Sequence, residues 1–378
     1  MDPVLALVSD LVAIDSVNPS LVPGAAGEGA IADAVAERMR AAGLDVERQA
    51  VAEGRPNVIG VLDGRAPGRS LMYCGHLDTV GVEGMLAPFD PIQRDGRLYG
   101  RGAQDMKGGV AAMIDAARVL AAEGFSNGRL VIAAVVDEEY ASVGADALVK
   151  RWRADAAVVT EPTDLQVASA HKGFLWAEME TRGRAAHGSR PADGRDAIVG
   201  MGRVLQGLEQ LNRDLQRRSP HALLGAASLH ASRIDGGREM SSYPDRCTLA
   251  AERRTLPGET DAAVMSQFDA ILADLTRADP EFEASCRLLF SRPAYELPSS
   301  HELPAMLARV ASGIVERDVS IGGMSFWTDA AVLGTAGIPS VLFGPGGAGL
   351  HSTTEYVLVD DVCRCRDVLV ALARDWCG

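Results

Sequence analysis

The fold is decided by a short apolar segment that ends in polar residues and reads LMYCGHLD at 71–78. Its first residues predict a buried strand, and His76 and Asp78 follow where that strand ends. Two further apolar runs are followed by carboxylates in the same way: Leu130–Val136 by Glu138 and Glu139, and Ala157–Val159 by Glu161. Buried strands of this kind form mostly parallel sheets, whose ligands bind beyond the carboxyl ends of the strands. The sequence therefore predicts an α/β fold with a functional site at that edge.

The rest of the chain predicts two domains, one inserted into the other. The first 170 residues alternate strand-like and helix-like segments, including a helix at 107–122 for which Asp105 is the expected N-cap. After residue 173 the predicted order becomes β-α-β-β-α-β, which is typical of a small ferredoxin-like domain. The α/β pattern returns near residue 292. We therefore expect a discontinuous catalytic, metal-binding domain at 1–173 and 292–378, and an inserted α+β domain at 174–291.

Composition and charge disfavour several classes of protein. The chain has 378 residues with 37 Lys and Arg against 51 Asp and Glu, a net charge of −14 that argues against binding to nucleic acid or an anionic membrane. No apolar run approaches the roughly 18–20 residues of a membrane span. The segment MDPVLALVSD at 1–10 lacks the basic start of a signal peptide, and the six cysteines form no CxxC pair. These features predict reduced thiols and a cytoplasmic location.

Each polar residue near a strand end has an ordinary structural explanation when it is taken alone. Asp105 could only cap a helix, and His351 could be a loop histidine. Taken together, two histidines and three or four carboxylates form a donor set that suits Zn²⁺ or a similar divalent ion.

Six motifs resemble one known family over nearly the whole chain. They are GHLDTV at 75–80, GRGAQDMKGG at 100–109, DEE at 137–139, TEPT at 160–163, RAAHGSRP at 184–191 and HSTTEYV at 351–357. The chain resembles the co-catalytic zinc amidohydrolases and exopeptidases that include acetylornithine deacetylase, succinyl-diaminopimelate desuccinylase, aminoacylase and carboxypeptidase G. This resemblance implies a di-zinc aminopeptidase-like catalytic domain, with residues 174–291 as a lid and dimerisation domain.

The resemblance also implies the ligands of two Zn²⁺ ions, for which Co²⁺ is a possible substitute. His76 and Glu161 would bind one ion, Asp105 would bridge both, and Glu139 and His351 would bind the second. With a bridging hydroxide, the three ligand carboxylates would balance the charge of two zinc ions, which suits a partly dry cleft.

Two further roles follow from the same resemblance. Asp78 would orient the His76 ring. Glu138 would be the general base, taking a proton from the metal-bridging water and giving it to the leaving amine. The family also has a cis peptide after the bridging aspartate, here Asp105–Met106.

For substrate binding the resemblance implies contacts from both domains. His187 would donate to the oxyanion from the partner subunit of a dimer. Arg254 would hold the substrate carboxylate, although pairing with an acidic residue of the lid is an alternative. Thr328 would line the acyl or side-chain pocket. The glycine-rich turn that contains Gly346 lacks the lysine and Ser/Thr of a phosphate loop, so we expect it to bring backbone near the substrate. Ser241 stands where the family usually has asparagine, which changes the expected carboxylate pocket.

These expectations predict a homodimeric metallohydrolase that cleaves the amide of a small N-acyl-L-amino acid. A dipeptidase or carboxypeptidase of the same family, acting on a short peptide, is the alternative. A binding protein that has lost catalysis would not need Glu138, which is present. A two-metal phosphoesterase is disfavoured because few basic residues besides lid arginines could hold a phosphate.

Overall fold

Helices and strands alternate along residues 2–378, the part of the chain that the computed structural model describes. The helices are α1 Pro3–Val12, α2 Gly29–Ala41, α3 Gly108–Glu123, α4 Val143–Arg151, α5 Ala197–Arg217, α6 Asp261–Ala278, α7 Glu302–Val315, α8 Ala330–Thr335 and α9 Val359–Cys377. The strands are β1 Asp45–Ala52, β2 Arg55–Asp63, β3 Ala66–His76, β4 Ile92–Arg94, β5 Arg97–Tyr99, β6 Asn127–Val135, β7 Ala156–Val159, β8 Val167–His171, β9 Gly173–Arg182, β10 Ser228–Gly236, β11 Arg246–Thr255, β12 Glu283–Arg292, β13 Tyr295–Glu296, β14 Ile321–Met324, β15 Ser340–Leu342, β16 Gly347–Ala348 and β17 Tyr356–Leu358.

The chain divides into two compact units. The first unit comprises the residues up to Ser169 together with Leu297–Gly323 and Thr328–Gly378. The second unit comprises Ala170–Glu296 and the short segment Met324–Trp327. The stretch 174–291, for which the sequence predicts an inserted domain, falls within the second unit.

The sheet of the first unit has the strand order β1-β2-β6-β3-β7-β15-β8. Its four central strands, β6, β3, β7 and β15, are parallel, whereas β1, β2 and β8 are antiparallel to their neighbours. The predicted α/β fold class is therefore confirmed. Because His76 pairs with Val135, and Cys74 pairs with Val159, the strands β3, β6 and β7 end side by side. The loops that follow them begin at one edge of the sheet.

Close packing explains the small residues at the start of α3. Gly109 lies against the end of β7, where a Cβ atom would come within 2.0 Å of the Thr160 carbonyl oxygen. Most residues of α3 are buried where the helix packs on the sheet, including Val110, Ala112 and Met113. Glycine at 109 therefore lets the backbones of α3 and β7 approach each other.

The prediction that Asp105 caps α3 is wrong. The helix begins at Gly108 with Lys107 as its N-cap, and a separate turn, Ala103–Lys107, precedes it. The Asp105 backbone is not helical there (φ −118°, ψ 93°), and the Asp105–Met106 peptide is cis, as the resemblance implies. The Asp105 carboxylate lies 3.1 Å from His76 Nε2 and 3.4 Å from His351 Nε2, so it faces two imidazoles instead of helical N–H groups.

The second unit contains the elements β9-α5-β10-β11-α6-β12 in that order. Its antiparallel sheet has the order β10-β11-β9-β12, which is the ferredoxin-like arrangement expected from the sequence. Helices α5 and α6 bury one face of the sheet, and the apolar core includes Met179, Met201, Val204, Leu249 and Phe268. Among residues 2–378, no helix has the length and apolar character that a membrane crossing needs.

Replacing Gly109 by alanine should lower the free energy of unfolding by about 1–3 kcal/mol, because the new methyl group would collide with the Thr160 carbonyl. Gly313 is the matched control, since it is an exposed glycine in α7 with nothing within 4 Å of an added Cβ. Gly313→Ala should stabilise the protein by about 0.5–1 kcal/mol. Chemical denaturation of both variants measures the difference, and equal effects would contradict this account of α3.

Candidate metal centre

The end of β3 and four loops of the first unit bring two histidines and four carboxylates together. His76 and Asp105 are joined through Nε2 and Oδ1 at 3.1 Å, and His351 Nε2 lies 3.4 Å from Asp105 Oδ2 and 3.1 Å from Glu139 Oε2. His76 Nε2 also lies 3.8 Å from Glu161 Oε1 and 4.0 Å from Glu138 Oε2. The two oxygens of Asp105 thus face different histidines, which is the arrangement of a carboxylate that bridges two cations.

The hydrogen bond at the other ring nitrogen fixes the tautomer of His76. His76 Nδ1 lies 3.0 Å from the Asp78 backbone oxygen, and a carbonyl can only accept, so Nδ1 carries the proton. In the neutral ring Nε2 then presents a lone pair to the Asp105 carboxylate. Two acceptors at 3.1 Å need a proton or a cation between them.

The spacing of these atoms fits divalent metal ions. Ligands that sit about 2.0–2.2 Å from a tetrahedral zinc are about 3.4 Å apart. The nitrogen–oxygen distances of 3.1, 3.4, 3.1 and 3.8 Å between four pairs of expected ligands lie around that value. Two sets of donors also have all their ligand atoms within 4.8 Å of one another: His76, Asp105 and Glu139, and His76, Glu138 and Glu161. The donor set therefore fits the metals that the sequence predicts.

The pKa values show how strongly these groups interact without metal. Burial raises the pKa of Glu138 and Glu161 well above the usual value for glutamate, and nearby carboxylates add to this. Burial, together with the charge of Asp105, raises the pKa of Glu139 to about 7. Hydrogen bonds to Asp105 and Glu139 raise the pKa of His351 to about 10. Protons therefore occupy the centre in the metal-free protein, and bound cations would replace them.

Asp78 holds the loop of Glu138 and Glu139 as well as lying beside His76. Its Oδ1 and Oδ2 accept the backbone N–H groups of Glu138 and Glu139, both at 3.1 Å, whereas Oδ1 is 3.6 Å from His76 Nδ1. The expected contact to the imidazole is made more closely by the Asp78 backbone oxygen. The carboxylate therefore orients the two glutamates directly.

Three polar residues that the sequence does not single out support this loop. Asn18 donates from Nδ2 to Asp78 Oδ2 at 2.8 Å and to Asp137 Oδ1 at 3.1 Å. Arg55 donates to Asp137 at 2.8 Å and makes a two-pronged ion pair with Glu28 at 2.6 Å. Asp137 itself belongs to the DEE motif, whereas Asn18, Arg55 and Glu28 lie in none of the motifs. Asn18 and Arg55 reach the site across long stretches of chain, and no periodicity marks them.

Two predicted substrate-binding residues of the first unit have local structural partners. The Thr328 side chain is buried, and its hydroxyl accepts the N–H of Ala330 at 3.2 Å at the start of α8. Gly346 donates its N–H to Asp361, and a Cβ there would come within 2.7 Å of the carboxylates of Asp164 and Asp361. Packing explains both residues, and a substrate contact stays a prediction.

In the second unit His187 and Ser241 lie on adjacent segments. His187 forms an isolated bridge with Ser242, and the Ser241 carbonyl accepts the N–H of Gly188 at 2.7 Å. His187 Nδ1 accepts the backbone N–H of Ser189 at 3.2 Å, so the neutral ring carries its proton on Nε2 and can donate from it. Arg254 pairs with Glu252 at 2.6 Å, which is the lid contact weighed as an alternative from the sequence.

This fold and this donor set are those of a metallohydrolase. The sequence profile described as peptidase family M20/M25/M40 matches residues 72–375, and the chain belongs to that family. It is therefore an amidohydrolase of a metal-dependent family, and the resemblance stated from the motifs is confirmed.

Relatives and solved structures cover almost the whole chain. The chain is 33% identical over 386 residues to an acetylornithine deacetylase of Myxococcus xanthus, covering 99% of this chain and 97% of that one. It is 29% identical to an N-formyl-4-amino-5-aminomethyl-2-methylpyrimidine deformylase of Bacillus subtilis, covering 89% and 86%. Its fold is similar to a tripeptidase of Staphylococcus aureus, with a TM-score of 0.82 at 20% identity over 99% and 97% of the chains. A Bacillus subtilis protein described as a dinuclear metal binding peptidase has a TM-score of 0.73 at 16% identity over 98% and 97%.

The metal-free protein should lose stability as the pH rises. The pKa of Glu139 is about 7 in the folded chain against 4.5 as its reference value, so the folded state binds more protons between these pH values. Its free energy of unfolding should therefore fall by roughly 3 kcal/mol from pH 4.5 to pH 7 through this group. The raised pKa of His351 acts in the same direction at higher pH, up to about 10.

Denaturant unfolding of chelator-treated protein across this pH range measures the effect. The Glu139→Gln variant, which cannot titrate there, should have a smaller slope, and zinc should abolish the slope in the parent protein. A metal-free protein whose stability rises over the same range would contradict the proton occupancy of the centre.

Proposed function

We propose that this protein hydrolyses the amide bond of N-acyl-L-amino acids, releasing a carboxylate and a free amino acid. The observation that carries this proposal is the buried Glu138 carboxylate beside a two-cation donor set, with Nε2 of His76 4.0 Å from its Oε2. The 33% identity to an acetylornithine deacetylase over 99% of the chain supports the acyl-amino acid class of substrate.

The ligand residues would hold two metal ions in each protomer, zinc or, as a substitute, cobalt. His76 and Glu161 would bind the first ion, Glu139 and His351 the second, and Asp105 both. These ions would supply a water of lowered pKa and would polarise the scissile carbonyl. The separate use of the two Asp105 oxygens by His76 and His351 supports this assignment.

Glu138 would act as the general base. Its carboxylate is nearly buried, and burial raises its pKa. A carboxylate of raised pKa binds a proton more strongly, so it is better able to take one from a water nucleophile. The hydrogen bond from its backbone N–H to Asp78 holds the residue in place, while the side chain stays available for the proton. Glu138 would then deliver that proton to the nitrogen of the leaving amino acid.

His187 would stabilise the oxyanion as a hydrogen-bond donor. Its Nδ1 is occupied by the N–H of Ser189, which leaves the Nε2 proton for this purpose. Arg254 would bind the substrate carboxylate, with Glu252 holding the guanidinium until substrate arrives. Ser241, Thr328 and Gly346 complete the proposed substrate contacts.

Two related activities have specific support and serve as alternatives. The fold of a tripeptidase at a TM-score of 0.82 supports cleavage of a short peptide by the same centre. The 29% identity to a formylpyrimidine deformylase supports removal of a formyl group from an amine. Both reactions use the same base and differ in the group that the pocket accepts.

A panel of acyl amino acids, dipeptides, tripeptides and formyl amines should separate these activities when amine release is measured on zinc-loaded protein. We expect N-acyl-L-amino acids to give the highest kcat/KM. Glu138→Gln should lower kcat about 10²- to 10⁴-fold, because the general base is lost, while two metal ions still bind. Turnover of peptides alone would favour the peptidase, and an unchanged kcat in Glu138→Gln would contradict the assigned base.

We also propose a homodimer that forms through the second unit. Its strand β10 has an exposed face along most of its length, and apolar side chains lie exposed beside it on α5 and β10: Ile198, Val199 and Ile234. Ile198 packs against Gly236 and Gly237, so these residues form one apolar patch next to a strand edge. Such a patch is typical of a protein–protein contact.

Mixing two inactive variants tests the dimer and the role of His187 together. His187→Ala should lower kcat by about 10²- to 10³-fold, which is the typical effect of losing one oxyanion donor. If His187 serves the site of its partner, exchange of subunits between Glu138→Gln and His187→Ala proteins should restore activity at one site of each mixed dimer. A monomer in light scattering, or no recovery after proven exchange, would contradict this arrangement.

A further inference from the structure

We infer that Glu355 is a positioning residue that fixes the loop of Asp105 against the loop of His351. The inference rests on the proposed metal centre. Glu355 follows His351 by four residues and is not itself among the proposed ligands. It would act through Asp105, whose two oxygens must reach both cation positions.

The Glu355 carboxylate is 1% exposed and accepts four hydrogen bonds from the preceding loop. Its Oε1 accepts the backbone N–H groups of Gln104 at 2.9 Å and Asp105 at 3.1 Å. Its Oε2 accepts the N–H of Gly102 at 3.0 Å and Arg101 Nη1 at 2.6 Å. One side chain therefore binds three backbone amides within four residues, including that of Asp105 itself.

The local backbone explains why these amides need a side-chain acceptor. Asp105 and Met106 have non-helical backbone angles, so this turn is not an ordinary extension of α3. Buried N–H groups without an acceptor destabilise a structure, and Glu355 supplies the acceptors. The path of the Asp105 loop is thus determined by a residue about 250 positions later in the chain.

Arg101 links Glu355 to the backbone of the His351 loop. Besides its ion pair with Glu355, it donates from Nη2 to the backbone oxygens of Gly81 and Ser352, both at 3.0 Å. Ser352 follows His351, whose backbone lies in the left-handed region with φ 56°. Glu355 and Arg101 together therefore hold two of the three loops that supply ligands to the second cation position, those of Asp105 and His351.

This role differs from simple stabilisation in what it predicts for metal binding. If Glu355 sets the Asp105 position, its loss should weaken the cation site between Asp105, Glu139 and His351 more than it weakens the fold. Supporting residues behind metal ligands typically contribute about 10- to 100-fold in metal affinity. A residue that only stabilises the fold would leave the affinity and ligand geometry of folded protein unchanged.

The experiment replaces Glu355 by glutamine in the full chain and titrates the metal-free protein with Co²⁺. Glutamine has the same size but presents an NH₂ group to some of the four donors. We expect weaker binding of one of two cobalt ions, by about 10- to 100-fold, with a changed visible spectrum. Hydrogen exchange at Gly102, Gln104 and Asp105 should also be faster in the metal-free variant, and kcat should fall with little change in KM.

Asp155→Asn is the matched control. Asp155 also accepts a backbone N–H, that of Ser70 at 2.7 Å, but it lies before the start of β7, away from the ligand loops. This variant should lose stability while its cobalt affinities and spectrum stay those of the parent. Glu355→Asp keeps the charge opposite Arg101 and should recover part of the cobalt affinity, which keeps the inference testable if the glutamine variant does not fold.

The two proposals fail in different ways. Parental cobalt affinities and spectrum in a folded Glu355→Gln protein, or in Glu355→Asp if the glutamine variant does not fold, would overturn the positioning role. A parent protein that binds only one cobalt ion would overturn it too, since no paired site would exist to position. A parent that binds two ions but hydrolyses no amide would contradict the proposed function and leave the result for Glu355 standing.

Discussion

The structure depends on keeping several buried carboxylates close together. Asp105, Glu138, Glu139 and Glu161 converge on two histidines, and their mutual repulsion and loss of hydration oppose folding. Protons relieve this repulsion in the metal-free protein, as the raised pKa values of the glutamates indicate. Divalent cations would relieve it more completely, because each one offers two charges to ligands already at metal-binding distances.

Rigid support for such a site comes from carboxylates that bind no metal in our assignment. Asp78 and Glu355 each accept backbone N–H groups of ligand-bearing loops, and each residue holds a different loop of the centre. Asp78 holds the loop after β6, and Glu355 holds the turn before α3. A hydrogen bond to the backbone fixes the path of the chain without competing for the ligand side chains. The ligands can therefore be preorganised in spite of their repulsion.

The sequence predicts the fold and the site residues to different extents. The central strands follow from apolar runs such as Leu130–Val136, because burial on both faces leaves a continuous signal. The wrong N-cap at Asp105 arose because a local rule assigned the carboxylate to the nearest helix, whereas two distant imidazoles use it. Asn18 lies in no motif, and Glu355 lies in HSTTEYV without a role that the sequence assigns, since contacts between a side chain and a remote backbone leave no periodic pattern.

The proposed metal ligands and base lie in one unit, whereas the proposed oxyanion donor and substrate contacts are shared between the two units. Every proposed metal ligand and the proposed base belong to the first unit, whereas His187, Ser241 and Arg254 belong to the second. Under the proposed assignment, changes at Ser241 or Arg254 would alter the substrate that is accepted while the metal ligands and Glu138 stay in place. We therefore expect Ser241, which stands where the resemblance places an asparagine, to affect specificity and not the ability to hydrolyse an amide, because it is neither a proposed metal ligand nor the proposed base.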